Sequence, residues 1–177
     1  AREVFDEVCR CIKTNPILGK RFTVRRGEVL APKDGTIRPL SSDANTLDGL
    51  NLNLAVVDEF HAMKNGDLYR VLASSMGSRK SPLMLAITTA GFVPDGPCAQ
   101  FIRAGKAVLD GSKANDRLLI LPYEVDEEDE WDDQAAWHKA NPNLGVSVSE
   151  SHLRAQFANA HMYGGRNITK FMVKHLN

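Results

Sequence analysis

Only three cysteines occur, Cys9, Cys11 and Cys98, and they make neither a disulfide framework nor a zinc pattern. Cys9 and Cys11 stand two apart on a helical stretch, so they face different sides, and no Cys/His set has metal-ligand spacing. Reduced thiols are the expectation. No apolar run reaches the ~18 residues of a membrane span, and no signal peptide opens the chain. Net charge is lacking too, since 22 Lys and Arg balance 22 Asp and Glu. A domain that grips DNA unaided usually carries a basic excess, because phosphate neutralisation dominates its affinity. The balance counts against that class. Nor is there a G-x-x-x-x-G-K-[ST] loop to cradle phosphates; Gly105-Lys106 lacks the preceding glycine and the following hydroxyl.

What is present describes an ordinary globular protein. The 177 residues, 43% hydrophobic and 25% charged, suffice for one domain with a proper core. Residue 1 is Ala and the chain stops at His175-Leu176-Asn177, so both ends are expected to have been cut from something longer. Charge is unevenly spread. Lys13, Lys20, Arg21, Arg25, Arg26, Lys33 and Arg38 make the start basic, while the stretch from Glu124 through Asp126, Glu127, Glu128, Asp129 and Glu130 to Asp133 is acidic. Solvated faces account for both; docking to a partner or repulsion from DNA is the alternative for the acidic run.

Val4, Phe5, Val8 and Ile12 recur at helical spacing, which predicts a helix over 2–14 stopped by Asn15-Pro16. Residues 21–26 and 28–31 around Gly27 read as a hairpin, and Asp34-Gly35 as a turn into a strand over Ile37 to Leu40. Ser41 to Asn53 is a polar loop with Asp48-Gly49 as a turn. Leu54-Ala55-Val56-Val57 is a continuous apolar run of the kind buried on both faces of a parallel sheet. Then follow a helix over 67–76, a second buried strand from Leu83 to Ile87, a helix over 97–109 and a third strand from Leu118 to Leu121. Helices over 134–139 and 149–162, divided by Asn141-Pro142-Asn143, complete the chain. This alternation predicts an α/β fold with a mainly parallel sheet, whose ligands bind beyond the carboxyl ends of the strands.

Asp58-Glu59 and Thr88-Thr89 fall at two such ends. Adjacent acids at a strand end can project in different directions, one toward Mg²⁺ and the other toward a water. This is the Walker B arrangement of ATPases, in which an Asp holds the metal and a neighbouring acid activates water. Acids also end strands simply to complement a following helix. Thr88 and Thr89 fit a γ-phosphate sensor, or equally a pair that satisfies strand-end backbone groups. Asp58-Glu59-Phe60-His61 reads like a DExH box, with His61 otherwise a helix-start residue. Arg79, and as formally Arg38, could act as an arginine finger.

These segments resemble the large terminase subunits of tailed phages: Leu47-Asp48-Gly49-Leu50-Asn51, Val56-Val57-Asp58-Glu59-Phe60-His61-Ala62, the strand from Leu83 with Thr88-Thr89-Ala90-Gly91, and Trp137 through Asn141-Pro142-Asn143 to Gly145. The resemblance spans nearly the whole chain. It implies a partial P-loop NTPase of the ASCE type, lacking its Walker A strand and loop. Residues 1–145 would be the C-terminal part of the ATPase domain, and 146–177 a helical segment leading toward an absent nuclease domain. By the same carry-over Asp58 is the Walker B magnesium residue, Glu59 the catalytic acid, and Thr88 and Thr89 the coupling motif; Trp137 to Gly145 matches without a catalytic role, and its Asn-Pro reads as a structural turn after the ATPase core. ATP and Mg²⁺ are the implied cofactors. Double-stranded DNA, the portal protein, the small terminase subunit and further copies of the protein are the implied partners, in the host cell cytoplasm and away from any membrane. The fragment alone is expected neither to hydrolyse ATP nor to cleave DNA. Without a phosphate-loop strand its sheet is expected to expose apolar surface or an unpaired edge. A DExH-type helicase fragment and a non-catalytic phage assembly module are the alternatives.

Overall fold

The computed structural model describes residues 2–41, 47, 49–63 and 65–177; Asp48 of the predicted turn lies outside them. The chain divides into two compact units, Ala1–Asp58 with Gly66–Ile87, and Glu59–Asn65 with Thr88–Asn177.

The first unit opens with helix α1 (Arg2–Thr14), whose Phe5, Cys9 and Ile12 are buried in one cluster with Val29. Their spacing puts them on one helix face. Asn15 does more than stop this helix: its Oδ1 accepts from the backbone N–H groups of Ile17 (2.9 Å) and Leu18 (3.1 Å). Pro16, which has no N–H to leave unsatisfied, then begins the short α2 (Pro16–Gly19). Strands β1 (Thr23–Arg25), β2 (Glu28–Ala31) and β3 (Gly35–Ile37) form an antiparallel meander. The strand predicted to start at Ile37 instead ends there. Lys33 and Asp34 both take left-handed backbone (φ 58°), which returns the chain at once and sets Gly35 opposite Ala31.

Strands β4 (Leu54–Asp58) and β5 (Leu83–Ile87) pair in parallel, Leu54 with Leu83 through Asp58 with Ile87, and helix α3 (Asp67–Ser74) lies between them in sequence. The expectation of strands buried on both faces is corrected. Ala55 and Val57 are buried, whereas Leu54, Val56, Leu83, Leu85 and Ile87 are 42–58% exposed. Alternation puts these five on one face, and two strands alone leave it uncovered. The apolar surface expected of an incomplete sheet is therefore present. The fold is α/β, but among the described residues its parallel sheet is a single pair of strands.

The second unit contains a 3₁₀ turn (Phe60–Ala62), α4 (Pro97–Leu109), α5 (Trp137–Ala140), α6 (Glu150–Tyr163), α7 (Arg166–Phe171) and a π-helical end (Met172–Leu176). Its core joins Trp137, Leu144, Leu153, Ala160, Phe171 and Leu176. Residues 118–121 are not the third strand that their apolar run predicts. They alternate as a strand would, with Ile120 against Gly105 while Leu119 and Leu121 are exposed, yet no described strand completes a ladder with them. The predicted 134–139 helix starts late, at Trp137, because Asp133 holds a turn by accepting from Ala135 and Ala136 N–H. Ser149 caps α6, accepting from His152 N–H (3.3 Å). Helix α7 falls inside the 146–177 segment expected to be helical, as a helix of its own: Gly164 and Gly165, both at positive φ, end α6 and let the chain restart.

Half-buried His175 makes the stability of this unit pH-dependent. Burial first, then the neighbouring His152 and Lys174, push its pKa down. The unfolded chain then binds protons more readily than the folded one, so stability is present above about pH 6.5 and is lost as pH falls below it. The midpoint of urea unfolding is expected to drop between about pH 7 and pH 5, and His175→Asn to flatten that slope. An unchanged slope in the variant would assign the effect elsewhere.

Candidate functional site

Strand β4 ends at Asp58, which is half-buried and stands opposite Ile87 in the ladder. The next residue, Glu59, adopts left-handed backbone (φ 54°, ψ 48°). A residue with a Cβ rarely does so, at a cost on the order of 1 to 3 kcal/mol, and such strain gathers at functional sites. It persists here because the following turn is anchored. Phe60 is buried and sets its ring edge-on to Phe101 of α4 (5.8 Å, 77°).

His61 then meets the segment that leaves β5. Its backbone N–H donates to Thr88 Oγ1 (3.0 Å), and its Nδ1 lies 3.1 Å from the same hydroxyl, 3.3 Å from Thr89 Oγ1 and 3.2 Å from Glu59 Oε2. The Thr88 hydroxyl donates to Thr89 O (2.8 Å). Buried Cys98, its thiol pKa pushed up by burial, places Sγ 3.8 Å from that hydroxyl. Glu59, Thr88 and Thr89, singled out separately in the sequence, thus meet at one imidazole. Two further participants, Gly91 and Cys98, gave no sequence signal of a role here beyond Gly91's place in the Thr-Thr-Ala-Gly segment.

Gly91 is required by the space it leaves. It sits at φ 77°, and a Cβ there would lie 2.6 Å from His61 Cβ. Gly91→Ala is expected to lower stability by about 1 to 3 kcal/mol, measured by urea unfolding; an unchanged midpoint would show that the ring can move aside without loss.

The other candidates have partners of their own. Arg79 donates through Nε (3.2 Å) and Nη2 (2.6 Å) to the carbonyl of Asn51, and Arg38 pairs with Glu28 (2.9 Å). Part of the acidic run is used internally. Asp126 and Asp129 hold Lys139 at 2.5 and 2.7 Å, which keeps the Asp129 carboxyl below the usual range and raises the lysine, while Glu124 pairs with Lys106. The Trp137 to Gly145 segment builds the core: Asn141 Nδ2 donates to Trp137 O (3.1 Å) and His175 O (2.7 Å). Among the described residues no three His, Cys, Asp or Glu side chains converge on one point. A cation caged by protein alone has no site there. Mg²⁺ asks for less, one or two carboxylates with water and phosphate completing its shell, and the hard oxygens of Asp58 suit that demand. No described helix is long and apolar enough to cross a membrane.

Residues 1–106 match the family model for the terminase large subunit, ATPase domain. Protein YmfN of Escherichia coli (strain K12) is 44% identical over 130 residues, which cover 73% of this chain and 28% of that protein. The fold is similar to that in the crystal structure of the HK97 bacteriophage large terminase, with a TM-score of 0.81 at 21% identity, covering 97% of this chain and 36% of that one. At that identity the likeness concerns the fold. The chain therefore spans about a third or less of the length of the proteins it matches.

Proposed function

The chain belongs to the terminase large-subunit ATPase family, and on that premise we propose that it is part of the ATP-hydrolysing motor that drives phage DNA into a procapsid. The observation that carries this reading is the convergence of Glu59, Thr88 and Thr89 on His61, at the residues where a motor of this family would sense and hydrolyse ATP. Asp58 would hold Mg²⁺ by its carboxylate, and the ion when bound would supply charge neutralisation across the phosphates. Glu59, more than half exposed, would take a proton from the attacking water. The hydroxyls of Thr88 and Thr89 would register the γ-phosphate. The phosphate loop that this chain lacks would come from elsewhere in the longer protein, as would the nuclease that cuts the DNA. Double-stranded DNA, a portal, a small terminase subunit and further copies of the protein are the partners of such a motor.

Asp58→Ala in the intact protein tests the metal role. ATP turnover is expected to fall on the order of 100-fold or more, without recovery at raised Mg²⁺. Wild-type turnover in the variant, or an intact protein that turns over ATP without Mg²⁺, would overturn the assignment. The 177-residue chain alone is expected to show no ATP turnover. The exposed face of β4 and β5 favours one rival, a non-catalytic assembly module that binds through apolar surface. Packaging that survives loss of both Asp58 and Glu59 would select it.

A further inference from the structure

We infer that His61 is a positioning residue, a link that holds the Glu59 carboxylate in register with the Thr88 hydroxyl. This rests on the reading of Glu59 as the acid that activates water. The donor and acceptor directions follow from the hydroxyl. Thr88 gives its one hydrogen to Thr89 O and accepts from His61 N–H and the Cys98 thiol, so it has no hydrogen to offer Nδ1 at 3.1 Å. The Glu59 carboxylate at 3.2 Å can likewise only accept, so the hydrogen is assigned to Nδ1, which donates among the Glu59 oxygen, Thr88 Oγ1 and Thr89 Oγ1 at 3.3 Å. One N–H thus ties the acid to the hydroxyl.

The ring cannot easily turn away from this bond. Its own backbone N–H is held by the same threonine, and the Cβ, Cγ and Cδ2 atoms lie against Gly91, where a Cβ would come within 2.6 to 3.3 Å of them. Phe60, one residue earlier, is locked against Phe101. The left-handed backbone of Glu59 sets the carboxylate two residues back within reach of the ring. A shift of Thr88 therefore moves the imidazole and, through it, the acid. By this route the state of the hydroxyl at one strand end sets the aim of the carboxylate.

The chemistry of the link distinguishes substitutions. The side-chain N–H of Asn falls where Nδ1 stands, whereas Gln carries its amide farther out and Ala has none. In the intact protein, His61→Ala is expected to lower kcat for ATP on the order of 10- to 100-fold, with KM for ATP and the melting temperature unchanged. His61→Gln is expected to fall with it, and His61→Asn to recover most of the rate. Equal loss in all three variants, or wild-type kcat in His61→Ala beside an inactive Glu59→Gln, would overturn the inference while leaving the acid in place. Normal turnover by Glu59→Gln would remove the acid assignment, and this link with it.

Discussion

Glu59→Gln in the intact protein is expected to lower kcat for ATP on the order of 10²- to 10⁴-fold, the range that a positioned general base contributes. The substitution preserves shape, and the amide oxygen can still accept from His61 Nδ1, so the network around Thr88 should persist. What disappears is the ability to take a proton from water. Glu59 is 62% exposed along its side chain, so no buried charge is lost and the melting temperature should not move. ATP affinity should stay near its wild-type value if, as proposed, a phosphate loop elsewhere in the intact protein holds the nucleotide. Phosphate release gives the first quantity and equilibrium binding of nucleotide the second. Normal phosphate release would remove Glu59 from the chemistry. Lost binding along with lost turnover would instead mean that the carboxylate helps hold nucleotide or its metal.

The features most legible in the sequence were those set by local chemistry. Helix α1 follows from Val4, Phe5, Val8 and Ile12, and α4 from Pro97 at its first turn; both run over the expected residues. The two parallel strands were evident as apolar runs bounded by turn residues, as were the acid pair and the threonines at their ends. Legibility failed where a distant partner decides the outcome. An apolar run such as Leu118 to Leu121 carries no mark of whether a neighbouring strand is present, and here no described strand pairs with it. The same limit applied to the exposed side of β4 and β5: alternation tells which residues share a face, but not whether anything covers it. The placement of His61 was half legible. Its place two residues after Glu59 suggested a DExH-like box, but the meeting with Thr88 spans 27 positions and depends on Gly91 leaving room for the ring.

Trp137→Ala is expected to be the most destabilising single substitution, at about 3 to 5 kcal/mol, the range for truncating a large buried aromatic side chain. Trp137 is 1% exposed and its ring is inclined at 61° to Phe157 (5.2 Å) and 60° to Phe171 (5.6 Å), so truncation opens a cavity among rings too large to close it. Its indole N–H also donates to Trp131 O (3.2 Å), which would lose a partner. The loss should appear as a lower urea midpoint with the slope preserved, since the same surface is exposed on unfolding. Trp137→Phe should keep most of the packing and forfeit the hydrogen bond, at about 1 to 2 kcal/mol. A midpoint within about 0.5 kcal/mol of wild type for the alanine variant would be the range of a surface site and would show that this ring is not central to the core. The consequence for activity can be separated from chemistry. Glu59, His61 and Thr88 share a compact unit with Trp137. In the intact protein, the alanine variant should therefore lose ATP turnover as urea unfolds it, and retain near wild-type kcat in the molecules still folded. A fall in kcat without unfolding would mean that the aromatic core also sets the geometry of the Glu59 network.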